Sequence, residues 1–134
     1  MEKRRVSTKG LLVGTAIDWG GSIVVSVSLS IAFSIVMAIS GTSLDETESL
    51  LREPFVLIPI MIIGFGFTML GGFVAGRMAK RSEILHGGIV GGLGIPFGFL
   101  FGASIPLWYN LISYMGVIPI GMFGGYLARL RQLR

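Results

Sequence analysis

Four long apolar runs separated by short polar pieces organise the chain. They extend from about Gly10 to Ser40, from Pro54 to Gly76, from Ile84 to Ala103 and from about Leu107 to Ala128. Each holds roughly the 20 residues that a helix needs to cross a hydrocarbon core about 30 Å thick. The pattern predicts an all-α protein, an integral membrane four-helix bundle forming one transmembrane domain over residues 1–134.

The polar pieces differ in sign. The amino-terminal tail carries Lys3, Arg4, Arg5 and Lys9, the 76–83 segment carries Arg77, Lys80 and Arg81, and the carboxy-terminal tail carries Arg129, Arg131 and Arg134. The acidic loop 41–53 holds Asp45, Glu46, Glu48 and Glu53 against Arg52, and the short 104–106 turn is uncharged. By the positive-inside rule the three basic pieces are cytoplasmic and the other two lie outside, which predicts an N-in, C-in protein of the plasma membrane. Trp108 and Tyr109 suit an outer aromatic belt, Trp19 and Tyr126 an inner one. Ala38 and Ser40 imitate a signal-peptide cleavage site, but the Ile23–Ile39 run is too long for a signal core, and its removal would leave an odd number of spans.

Composition agrees. The chain is 52% hydrophobic and 13% charged, with a mean hydropathy of +0.81. It has no cysteine and one histidine, which excludes disulfides and thiolate chemistry and argues against a metal site. No cofactor is implied. The basic excess lies beside apolar spans, so the expected counter-charge is the anionic headgroups of the lipid bilayer at the cytoplasmic face rather than nucleic acid.

Glycine, at 21 of 134 residues, supplies the strongest motif. Pairs spaced by four occur at Gly10/Gly14, Gly72/Gly76, Gly87/Gly91, Gly88/Gly92, Gly94/Gly98, Gly98/Gly102 and Gly121/Gly125. In lipid, close backbone approach over small residues is what makes helix association favourable. These pairs predict tight packing within one bundle, or between copies in a homo-oligomer. There is also an internal echo: Gly71-Gly72-Phe73-Val74-Ala75 matches Gly124-Gly125-Tyr126-Leu127-Ala128, and Gly10-x-x-x-Gly14 matches Gly87-x-x-x-Gly91. Two parallel helical hairpin repeats would produce this, as would glycine-driven packing alone.

The first run carries a second series, Gly14, Asp18, Ser22, Ser26, Ser30, Ser34 and Ala38, along one slowly drifting helix face. As a functional track it would be a proton or solute path with Asp18 as its ionisable end; as a packing face its serines would serve as glycines do. Because the 10–40 run exceeds one span by about ten residues, Asp18 is expected near the inner headgroup boundary, hydrated or paired with a cytoplasmic Arg, and Gly20-Gly21 is a place for a break. Pro59, Pro96 and Pro119 each fall inside a span and can kink it. His86 is expected at the cytoplasmic interface, with no partner spacing for a metal. No nucleophile and base can be paired at recognisable spacing, so the chain reads as non-enzymatic.

Residues Gly71 to Gly94 read GGFVAGRMAKRSEILHGGIVGGLG. This resembles a pattern recurring in small prokaryotic four-span membrane proteins of unknown function. In them a helix ending Gly-Gly-x-x-Ala-Gly-Arg precedes a short basic loop and His-Gly-x-x-x-Gly, here Gly71, Gly72, Ala75, Gly76, Arg77, His86, Gly87 and Gly91. The resemblance implies a compact helical bundle and supplies no activity. The chain is also similar to small multidrug-resistance transporters in having four short helices and an acid in the first, where Asp18 would take that acid's place. It departs from them in having Asp for Glu and a one-sided charge distribution, so that likeness is one of chemistry. Two functions are left: a structural or accessory subunit of a larger membrane complex or homo-oligomer, and a small proton-coupled transporter or channel using Asp18, Ser22, Ser26, Ser30 and Ser34.

Overall fold

The computed structural model describes residues 6–101 and 105–133. Lys3, Arg4, Arg5, Gly102, Ala103, Ser104 and Arg134 lie outside the described residues. Among those described the chain forms five helices and no strand: α1 (Thr8–Ile39), α2 (Leu44–Leu51), α3 (Pro54–Ala79), α4 (Glu83–Phe101) and α5 (Leu107–Gln132). All but α2 are long and apolar enough to cross a membrane.

Local chemistry sets the boundaries. Ser7 caps α1, its hydroxyl accepting from the Gly10 N–H at 3.2 Å. The helix then runs unbroken through Gly20-Gly21 to Ile39, so the break that these glycines permit is not made. In hydrocarbon each backbone group must bond within its own helix, and two glycines do not outweigh that requirement. The acidic 41–53 segment is no simple loop, because its centre is α2. Ser43 and Glu46 form a capping box, and Asp45 and Glu46 sit where the helix dipole favours them. Pro54 starts α3, and left-handed backbone at Lys80 (φ 55°) and Ser82 (φ 53°) reverses the chain into α4. Pro59, Pro96 and Pro119 are carried inside continuous helices.

Helix α3 is the centre of the bundle, packing on α1, α4 and α5, while among the described residues α1 packs closely on α3 and α4 and its backbone stays apart from that of α5. The two hairpins are therefore not packed equivalently: α3 packs closely on α4, whereas α1 does not pack so on α5. Ser7 bonds to His86, and Gln132 bonds to the Arg77 carbonyl. These bonds gather the start of α1, the end of α3, the start of α4 and the end of α5 at one end, the basic end, with Lys9, Arg77, Lys80, Arg81, Arg129 and Arg131. The acids of α2 lie at the other.

Packing is tightest toward the basic end and is made largely of glycine. A Cβ on Gly14 would meet the Gly71 carbonyl oxygen and, at 2.8 Å, the Ala75 Cβ. One on Gly72 or Gly87 would strike the Gly121 carbonyl, and one on Gly91 the Val117 carbonyl. Gly125 meets the Glu83 carbonyl, and Gly76 meets Glu83 and Ala128. Not every predicted glycine serves this way. Gly94 has only the Asp18 carboxylate near it, Gly98 faces the Tyr114 ring, and Gly92 has nothing within 4 Å. Conversely Gly124, outside the spaced pairs, lies against the Met69 carbonyl.

Candidate functional site

Toward the acidic end the spanning helices diverge around a cavity of about 530 Å³ lined by all four of them. Helix α1 gives Asp18, Trp19, Ser22 and Ser26, and α3 gives Gly64, Phe65 and Thr68. Helix α4 gives Gly94, Phe97 and Gly98, and α5 gives Tyr109, Asn110, Ser113 and Tyr114. The volume falls within the range of small-molecule sites, about 300–1,000 Å³.

Asp18 forms the floor. It is 4% exposed, and its Oδ1 accepts from the Thr68 hydroxyl at 2.8 Å. That hydroxyl also lies 3.2 Å from the Gly64 carbonyl one turn back along α3. Of the two expected surroundings, water or a cytoplasmic Arg, neither is found among the described residues: Asp18 is buried and bonded to Thr68. Asp18 points inward at α3 because it continues the Gly10, Gly14 series that forms the α1–α3 seam. Among the described lining residues there is no Lys or Arg, so the carboxylate has one neutral donor and no counter-ion. A buried carboxyl of this kind is ordinarily paired with a cation or kept neutral by a bound proton.

The walls are aromatic. Trp19 stacks on Phe97 with ring centroids 4.6 Å apart, joining α1 to α4 beside the floor. Tyr114 stacks on Phe99 at 4.8 Å. Ring faces next to a carboxylate suit a cation with an apolar body.

The serine track divides. Ser22 and Ser26 line the cavity, whereas Ser30 and Ser34 are exposed on the outer half of α1. They are not part of the cavity path. His86 lies at the basic end of the bundle and is fully buried there. The Ser7 N–H donates to its Nε2 at 2.9 Å, and its Nδ1 lies 2.9 Å from the Ser82 carbonyl. These partners assign the proton to Nδ1.

Thr68, Phe65, Phe97, Asn110, Ser113 and Tyr114 escaped the sequence reading, and Tyr109 was read only as an aromatic-belt residue, because each is an ordinary membrane-helix residue until a second helix is set beside it. A shallow depression of about 250 Å³ on α2, lined by Asp45, Glu48, Ser49 and Arg52, holds the exposed Arg52–Glu48 pair at 2.6 Å. Its charges already have each other and the solvent. Comparison of the chain with protein-family models, with curated proteins and with solved structures finds no match.

Proposed function

We propose that the protein is a small membrane carrier that binds an amphiphilic organic monocation at Asp18, in competition with a proton. The observation that carries this reading is a buried carboxylate with a single neutral donor at the base of an aromatic cavity. The solute class follows by elimination. An anion would meet Asp18 with no basic group to offset it. A sugar-like solute would leave hydroxyls unsatisfied against a mainly apolar wall. A bare Ca²⁺ takes 6–8 oxygen ligands, and one carboxylate supplies too few. A single ammonium on a hydrophobic body is matched by one carboxylate and by ring faces.

In this reading both termini are cytoplasmic, the basic end sits among anionic headgroups of the plasma membrane, and the cavity opens outward. No bond is made or broken; the protein is not an enzyme. Reconstituted in vesicles with an imposed pH gradient, it should carry benzyltrimethylammonium against the gradient. Asp18→Asn, which keeps an acceptor for Thr68, should abolish this flux. Equal flux in that variant would remove Asp18 from the mechanism.

A second reading is favoured by a different observation. The outer half of α1 exposes Val24, Val27, Ile31, Ile35 and Ile39 together with Ser30 and Ser34, and small residues on such a face permit close helix approach. It would make the chain an accessory subunit of a larger complex, or a homo-oligomer joined through α1. Native mass spectrometry after gentle extraction distinguishes the two forms. Stoichiometric larger subunits support the first and a discrete oligomer the second; a bare monomer removes both.

A further inference from the structure

Resting on the carrier reading, we propose that α1 is the moving element and that the Ser7–His86 hydrogen bond is the tie that keeps the basic end of the cavity shut. Among the described residues, two side-chain hydrogen bonds join α1 to the other spanning helices. Thr68 to Asp18 lies at the cavity floor, and Ser7 to His86 lies at the basic end. The positions are eleven residues apart, about 16 Å of helix at 1.5 Å per residue. Between them the way to the basic end is blocked by Gly14, Ala75 and Val90, and the last two are fully buried.

This plug is held by contact alone. Gly10 and Gly14 lie against the Ala75 and Gly71 carbonyls, a seam of small residues that in lipid gains only van der Waals attraction. It can part and reclose without stranding polar side chains. Together with the Trp19–Phe97 stack beside the cavity floor, the two ties are the directional contacts that hold α1 in its present position. One ends on the carboxylate that meets the solute, so occupancy of the site acts on it directly. The other is remote from the cavity and must open separately.

His86 is shaped for that role. Its Nδ1–H is committed to the Ser82 carbonyl, which the left-handed backbone at Ser82 presents (φ 53°). Its Nε2 is left with one function, accepting from Ser7. The donor is a backbone N–H at the cap of α1, a group that the helix itself cannot satisfy. Breaking this bond frees the end of α1 while the His86 ring stays anchored in α4. Among the described residues the other contact at that end is the small-residue seam with α3, where Gly10 lies against Ala75 and Met78.

Because the chain has no cysteine, single cysteines report opening directly. Val90→Cys places a thiol in the plug, to be labelled by a membrane-impermeant maleimide from the basic side. His86→Phe removes the acceptor. Ser7→Pro removes the donor, and the Ser7 φ of −79° accommodates the ring. Ser7→Ala keeps the N–H and loses only the hydroxyl cap. Labelling of Val90→Cys should rise roughly five- to tenfold with His86→Phe and with Ser7→Pro, the shift that one lost buried hydrogen bond gives a two-state equilibrium. It should be unchanged with Ser7→Ala.

Leu57→Cys, buried toward the acidic end, separates local opening from general loosening and should stay slow. Three outcomes overturn the proposal: unchanged Val90→Cys labelling in both tie variants, equal effects of Ser7→Ala and Ser7→Pro, or a rise at Leu57→Cys that matches the rise at Val90→Cys. No solute is present in the labelling assay. A failed tie therefore leaves the carrier reading to its own flux test, and absent flux with a positive labelling result counts against carriage alone.

Discussion

Replacing Gly87 by alanine tests the glycine seam most sharply, because Gly92 on the same helix is its natural control. A Cβ at position 87 would fall on the Gly121 carbonyl oxygen, 2.9 Å from its carbon and 3.0 Å from the Gly125 nitrogen, whereas one at position 92 meets nothing within 4 Å. Ordinary carbon contacts need about 3.5–4.0 Å, so α4 and α5 must separate by several tenths of an ångström to about 1 Å, which forfeits a quarter to a half of each contact's attraction along the seam. Overpacking of this kind costs about 1–3 kcal/mol, and the obstacle here is backbone, which cannot swing aside. The helix-propensity gain of alanine over glycine, about 1 kcal/mol in water, offsets part of that. Gly87→Ala should therefore destabilise the bundle by up to about 2 kcal/mol, and Gly92→Ala should be neutral or up to about 1 kcal/mol stabilising. Unfolding by SDS in mixed micelles, followed by circular dichroism, measures both. Equal stability of the two variants, or a less stable Gly92→Ala, would refute the reasoning.

Thr68→Val keeps the shape and removes the donor to Asp18, which should cost about 1–2 kcal/mol in the same assay. Combined with Asp18→Asn it should show less than additive loss, because both act on one bond. Ser22→Ala and Ser26→Ala, on the cavity wall, should change cation affinity, whereas Ser30→Ala and Ser34→Ala should leave it within twofold of wild type; a dye-displacement titration separates the pairs. Gly124→Ala, whose Cβ would lie 2.9 Å from the Phe73 nitrogen, should destabilise as Gly87→Ala does, although no Gly-x-x-x-Gly pair includes it.

Hydropathy and charge made the spans legible, because lipid imposes length and uninterrupted helix on any chain that crosses it. The α2 helix was written in Ser43-Leu44-Asp45-Glu46, a capping box within a segment read by its charge alone. Gly124 stands three residues from Gly121, which places both on one helix face, so counting only intervals of four missed it. The track from Asp18 to Ser34 was sound as helix geometry. Which of its members meet a cavity depends on where α3 and α4 stand, and that lies outside α1's own sequence. The Asp18–Thr68 bond joins positions 50 apart, and the Ser7–His86 bond positions 79 apart. Neither has a local signal, because each is made only when the seams close.

The central claim is that Asp18 is a cation site, and calorimetric titration of the purified protein with benzyltrimethylammonium tests it most directly. Attraction between unit charges 4 Å apart is about 4 kcal/mol at an effective dielectric constant of 20, and desolvation removes part of this. The account predicts saturable binding that weakens as pH falls and the proton takes the carboxylate. It also predicts at least about tenfold loss in Asp18→Asn and no competition from the uncharged isostere neopentylbenzene. Equal affinity in Asp18→Asn, or equal binding of the neutral isostere, would contradict it.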